Sequence, residues 1–170
     1  CFPASESLMN SYSADDLRFN KTTGAFIRQQ GNILGKQYTT FKNGTPSTTQ
    51  VYGFALRTAE AYLNRAEAFA MQGKVDLAMT DINQLRKFRI KNSAFTDLIA
   101  SSQEQAMNII MKERRLELCY EQHRWFDLRR WNQPKIVHEF VEEYNPFSSK
   151  TYVLEANDEA YTLPIPVEVI

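Results

Sequence analysis

Cysteine is nearly absent from this 170-residue chain: there are two, one of them at position 1. No disulfide framework can be built from them, and a chain of this length buries roughly 70% of its unfolded surface without one. Glycine and proline number six each. Neither a Gly-rich phosphate loop nor a Gly-x-Ser-x-Gly elbow is present. An excess of either charge is also missing, because 20 Lys plus Arg balance 20 Asp plus Glu. That balance argues against phosphate neutralisation, so no nucleic-acid partner is expected. No apolar run approaches the roughly 18 residues of a membrane-spanning helix. With only two histidines as bases, the chain is not expected to be an enzyme, and it calls for no cofactor. What it has in surplus is aromatic residues, 12% of the total: 11 Phe, 8 Tyr and 2 Trp.

The spacing of apolar residues predicts a mainly α fold with irregular loops and a few short strands. Residues 1–50 are polar and loop-rich, with strand character at Gly24–Arg28 and at Tyr38–Phe41, the latter followed by the turn pair Asn43-Gly44. Over 51–92 the pattern becomes helical. Ala55, Ala59, Tyr62, Ala66, Phe69 and Ala70 recur every three or four positions, Gly73 interrupts them, and Val75, Ala78, Ile82 and Leu85 resume. So short a link demands an antiparallel helix hairpin, and the spacing fits the 34-residue tetratricopeptide pattern with Ala59 as its first position. A single such repeat cannot bury its own faces. A long helical segment is expected over 104–132, ended by Asn132-Gln133-Pro134. Met111, Leu118 and Trp125 lie on one side of it and Ile109, Leu116 and Tyr120 on the other, the mark of a helix sandwiched between neighbours. Residues 133–170 form an extended tail holding an acidic run at Glu139–Glu143, a strand-like Thr151–Leu154 and the extended Leu163–Pro166.

Charge and aromatics are densest between Lys112 and Trp131. Charges on an apolar helix face must be paired, so Arg114, Glu117, Glu121 and Arg124 read as a partly buried ion-pair ladder. Two catalytic readings of this segment are set aside. Glu117 and Glu121 resemble the paired carboxylates of glycoside hydrolysis, but nearby arginines would hold both ionised where one must carry a proton. Cys119 and His123, four apart, supply only two ligands of a zinc site, and His138 is distant, so no metal is expected.

The order of motifs then becomes informative. Arg57–Ala68, Asp81–Arg86, Glu113–Leu118, Arg124–Trp131 and Leu163–Pro166 follow one another in a sequence that resembles the C-terminal half of the SusD/RagB family. Ser13–Arg18 resembles the family's preceding D-x-R segment. The resemblance implies a helical, tetratricopeptide-like, cell-surface lipoprotein of the outer membrane. Such a protein binds oligosaccharide or another nutrient and partners a SusC-like TonB-dependent transporter, touching the membrane only through a lipid anchor outside this fragment. It also implies that the matched helical motifs are scaffold, with Trp125, Asp127, Arg130 and Trp131 joining the ladder residues in a structural role. Cys1 leads within about 15 residues into a mid-family segment, so it is read as an ordinary residue at a truncation point.

Sugar rings stack on exposed aromatics while polar side chains fix hydroxyls. Tyr38, Phe41 and Tyr52 are therefore the expected ligand platform, with Asn43 and Gln37 as hydroxyl partners. The rival reading is a tetratricopeptide-type protein-protein interaction module, whose groove residues would include Asn64 and Lys87.

Overall fold

The computed structural model describes residues 5–19, 27–30, 33–36, 40–42, 45–47, 57–142 and 145–162. They divide into two compact units, Cys1–Glu121 and Gln122–Ile170. The fold is mainly α, as the periodicity predicts. In the first unit a short α1 (Glu6–Met9) precedes two antiparallel hairpins, β1 (Ile27–Gln30) with β2 (Ile33–Lys36) and β3 (Thr40–Lys42) with β4 (Thr45–Ser47). Lys42 pairs with Thr45, so two residues connect β3 to β4, the spacing that Asn43-Gly44 suggests.

Helices α2 (Thr58–Met71), α3 (Val75–Arg86) and α4 (Gln103–Glu117) build the core of this unit. Leu63, Ala66 and Ala70 of α2, Ala78 and Ile82 of α3, and Ala106 and Ile110 of α4 form one cluster with essentially no solvent exposure. Alanine at half or more of these positions lets the helix backbones approach closely, at the expense of apolar area per residue. The expected antiparallel hairpin of 51–92 is present as α2 and α3. Its turn is a Schellman motif: Lys74 N–H donates to the Phe69 carbonyl at 2.9 Å and Gly73 N–H to that of Ala70 at 2.9 Å, with Gly73 at φ +74°. A β-carbon on Gly73 would meet nothing within 4 Å. Gly73→Ala therefore tests the left-handed backbone alone, and we expect a loss of about 1 kcal/mol in urea unfolding.

Helix α4 starts at Ser102, whose side chain accepts the Gln105 N–H. It is sandwiched as predicted: Ile110 and Leu118 belong to the α2–α3 cluster, whereas Leu116 and Cys119 pack with Leu8 and Tyr12. The single helix expected over 104–132 is corrected, however. The chain leaves α4 after Glu117 and re-enters a helix, α5, only at His123, passing through Tyr120 at φ 61° and Gln122 at φ 64°. A continuing helix would give the Glu117 carbonyl to the N–H of residue 121. Here Arg57 Nη2 takes that carbonyl at 3.1 Å, and the Glu121 N–H turns to Leu118 at 3.2 Å. Arg57 thus caps α4 from a distant segment.

The second unit comprises α5 (His123–Trp131), strands β5 (Ile136–Glu142) and β6 (Asn145–Leu154), and a 3-10 turn at Glu159–Tyr161. The tail is therefore less open than expected. β5 and β6 pair antiparallel from Ile136↔Leu154, with an irregularity between Val141 and Glu142. β6 contains the expected Thr151–Leu154, and β5 takes most of the acidic run; Leu163–Pro166 lies outside the described residues. Trp125 stacks on Tyr161 with ring centroids 5.2 Å apart, and the Tyr161 hydroxyl donates to the Pro134 carbonyl. Asn157 N–H donates to the Gln133 carbonyl at 2.9 Å, which ties the tail to the end of α5.

Candidate functional site

The most concentrated chemistry in the helical unit is a buried network of alternating charge, and it is assembled from four segments. Residues 15–17 run antiparallel to 89–91, with Leu17 N–H on the Arg89 carbonyl at 2.7 Å and Lys91 N–H on that of Asp15 at 3.0 Å. This pairing sets Asp16 and Arg18 beside the end of α3. Asp16 Oδ1 accepts the Arg18 N–H two residues on, a local turn that folds the carboxylate back over its own chain. The same carboxylate takes the Arg18 guanidinium in a fork, Nε at 2.9 Å and Nη2 at 2.7 Å. Arg18 is 1% exposed. Its remaining nitrogen, Nη1, reaches Glu113 at 3.0 Å and Glu117 at 3.3 Å.

Glu117 is the centre. With 0% exposure, it receives both Arg89 Nε and Nη2 at 2.9 Å, Arg57 Nη1 at 3.0 Å and Arg18 Nη1. Arg57 continues to Glu121 through Nε at 3.0 Å and Nη2 at 2.8 Å. Arg86 approaches the free side of Glu113 at 3.5 Å. Asp16, Glu113, Glu117 and Glu121 thus meet Arg18, Arg57, Arg86 and Arg89, four charges of each sign. Burial raises the Glu117 carboxyl, but the hydrogen bonds and charge of Arg89, with the charges of Arg18 and Arg57, outweigh it and hold the group below the usual glutamate range. Burial likewise opposes charge on Arg18, and Asp16, Glu113 and Glu117 reverse that and raise it. An ionised carboxylate sealed under three guanidiniums can neither donate a proton nor reach a substrate. It can hold segments together.

The expected ladder is corrected in its reach. Its carboxylates Glu117 and Glu121 meet arginines brought in from residues 18, 57 and 89, and α4 ends at Glu117, so Arg124 belongs to the next helix, α5. Arg114 is buried and bonds Asn64 Oδ1 at 2.6 Å. On α5, Asp127 is buried and accepts Arg130 Nε and Nη2 at 3.0 and 2.8 Å, and that guanidinium lies 4.6 Å from the Trp131 ring centre. Arg124 is exposed, whereas Trp125 and Trp131 are half-buried. Tyr120, expected in the core, is 40% exposed. Cys119 is buried, with Sγ 3.4 Å from the Tyr12 hydroxyl and 3.5 Å from the Leu116 carbonyl. Among the described residues no three His, Cys, Asp or Glu side chains gather as metal ligands.

Of the proposed ligand platform, Phe41 has its backbone on β3, and Gln37, Tyr38, Asn43 and Tyr52 lie outside the described residues. Of the rival reading's groove residues, Asn64 is engaged by Arg114, and Lys87 lines a groove beside α3.

Comparison with known proteins gives a concordant answer. The profile of the SusD family matches residues 4–169. The chain belongs to the SusD family. It is 28% identical over 123 residues to the SusD-like protein P38 of Formosa agariphila, a match covering 69% of this chain and 24% of that protein. It also resembles the crystal structure of a SusD-like protein from Bacteroides fragilis, with a TM-score of 0.54 and 30% identity over 81% of this chain and 28% of that one. The chain therefore spans about a quarter of the length of these relatives. The SusD-like motifs seen in the sequence now acquire a common purpose. Asp16 and Arg18 come from Ser13–Arg18, Arg57 opens Arg57–Ala68, Arg86 closes Asp81–Arg86, and Glu113 and Glu117 belong to Glu113–Leu118, so four SusD-like motifs supply six of the eight charges of one network, and only Arg89 and Glu121 lie outside them.

Proposed function

We propose that the chain is part of a cell-surface protein of the outer membrane that captures oligosaccharide for a SusC-like TonB-dependent transporter, anchored by lipid in the full-length protein. Membership of the SusD family over residues 4–169 carries this reading. The buried network supports the division of labour it requires. Helices clamped by internally satisfied charges form a rigid frame, and ligand contacts fall to the loop-rich segment with Tyr38, Phe41, Tyr52, Asn43 and Gln37. A tetratricopeptide-type adaptor is less well supported, since the Asn64 Oδ1 already accepts from Arg114. The test is retention of the full-length protein on glycan affinity gels. The double variant Tyr38→Ala, Phe41→Ala is expected to be retained clearly less than the parent protein while keeping its unfolding midpoint; retention equal to that of the parent protein removes the proposed platform.

A further inference from the structure

Beside α3 lies a groove of about 530 Å³ that the charge network does not use. Its size falls within the range of about 300–1,000 Å³ typical of small-ligand sites. One wall is the outer face of α3, with Asp76, Thr80, Gln84 and Lys87 at helical spacing; the other is the segment that follows, with Phe95, Asp97, Leu98 and Ile99. Asp76 and Lys87 are eleven residues apart and so separated by about 16 Å along the axis.

Two features distinguish this groove from an ordinary surface dent. The first is that its walls are pinned together. Asn83 Nδ2 donates to the Leu98 carbonyl at 2.9 Å while its Oδ1 accepts the Leu98 N–H at 2.9 Å, and Arg86 Nη1 donates to the Thr96 carbonyl at 2.9 Å. The site is formed before any ligand arrives, which lowers the ordering cost of binding. The second is that its polar heads are unspent. Asp15, Asp16, Asp81, Glu113, Glu117 and Glu121 all sit in ion pairs. Among the described residues, Asp76, Gln84, Lys87 and Asp97 have no side-chain hydrogen bond or ion pair. They face a wall that is apolar apart from Asp97, and Ile99 there is 87% exposed.

We infer that this groove is a second saccharide subsite, specific for a neutral oligosaccharide and separate from the loop aromatics; the inference rests on the nutrient-binding reading above. A short sugar chain has the matching amphipathy. Its hydroxyls donate to the Asp76 and Asp97 carboxylates and to the Gln84 carbonyl and accept from Lys87, and its C–H faces lie on Phe95, Leu98 and Ile99. Two carboxylates against one ammonium reject a polyanion: uronate or sulfate groups would find one cation and two like charges.

The experiment is calorimetric titration of full-length protein with maltohexaose, cellohexaose and xylohexaose, and with hexagalacturonate as the acidic probe. Gln84→Ala with Asp97→Ala, both exposed positions, is compared with Tyr38→Ala plus Phe41→Ala and with the four changes combined. The loop variant is expected to retain weaker binding of a neutral hexasaccharide, and the groove substitutions are expected to weaken that remainder at least about tenfold without moving the unfolding midpoint. Neutral-sugar binding that ignores the groove substitutions in both backgrounds overturns the subsite and leaves the nutrient reading intact. Hexagalacturonate binding that depends on Gln84 and Asp97 overturns the neutral specificity. If the parent protein binds none of the three neutral sugars, the neutral subsite falls, and the nutrient reading stands or falls on the glycan affinity gels.

Discussion

Glu117→Gln should lower the stability of the helical unit by about 3–5 kcal/mol, measured by urea unfolding followed in the far ultraviolet. The substitution keeps the shape of the side chain and removes only its charge. Three guanidiniums, from Arg18, Arg57 and Arg89, then remain aimed at a neutral amide whose NH2 group repels at least one of their N–H donors. Arg18, 1% exposed, cannot turn to water instead. The cost is that of orphaned buried charge and not of one lost hydrogen bond, so Glu121→Gln, with 11% side-chain exposure and Arg57 as its partner, should cost less.

The same group gives the unit an acid limb of known sign. The Glu117 carboxyl is held below its ordinary value near 4.5 in the folded chain, with burial raising it and the Arg89 hydrogen bonds and the three arginine charges outweighing burial. Between the lowered folded value and the unfolded one, the unfolded chain binds more protons, so stability rises with pH. The contribution is complete above the unfolded value and is lost as pH falls through the folded one. Plotted against pH, the urea midpoint of Glu117→Gln should fall less steeply below 4.5 than that of the parent protein. Parallel acid limbs would mean that other carboxylates carry the acid sensitivity.

Ile110→Ala is the second large effect, expected at about 2–5 kcal/mol in the same unfolding measurement. Ile110 is 0% exposed and belongs to the cluster that joins α4 to α2 and α3. Its neighbours in that cluster include Ala66, Ala70, Ala78 and Ala106. Alanine has no rotamer with which to fill a void, and these helices already approach closely, so collapse around the missing atoms is restricted. The loss should fall in the upper part of the range, with Ile110→Val near 1 kcal/mol.

The sequence readings succeeded where the information is local. The α2–α3 hairpin shows in apolar spacing and in Gly73, because a helix face and a left-handed turn are both encoded within a few residues. The break between α4 and α5 does not show. Its left-handed positions are Tyr120 and Gln122, which carry no steric preference for that conformation. The carbonyl it frees is taken by Arg57, 60 residues away and outside any local reading. β5 is legible in part: Ile136, Val137, Phe140 and Val141 are strand formers, but Glu139 and Glu142 interrupt them, and only the pairing with β6 fixes the strand. The charge network was half legible. That Glu117 and Glu121 must be paired follows from burial on an apolar face, but spacing along one helix nominates only its neighbours, whereas Arg89, Arg57 and Arg18 stand 28, 60 and 99 residues from Glu117. For the sugar platform the sequence named residue types, and the residues that would test the arrangement lie outside the described segments.

The long reach of Arg18 has a consequence for how the protein is made. Its acidic partners on α4 are 95 and 99 residues downstream. At translation rates of about 5–20 residues per second, the ribosome delivers Glu117 roughly 5–20 s after Arg18. Until then only Asp16 is at hand for a cation that the finished fold buries completely, and α2 and α3 emerge with Arg57, Arg86 and Arg89 lacking the α4 carboxylates. A nascent chain halted before Glu113 would therefore carry four arginines with one network carboxylate among them, and the helical unit would close in one step, when α4 clears the exit tunnel.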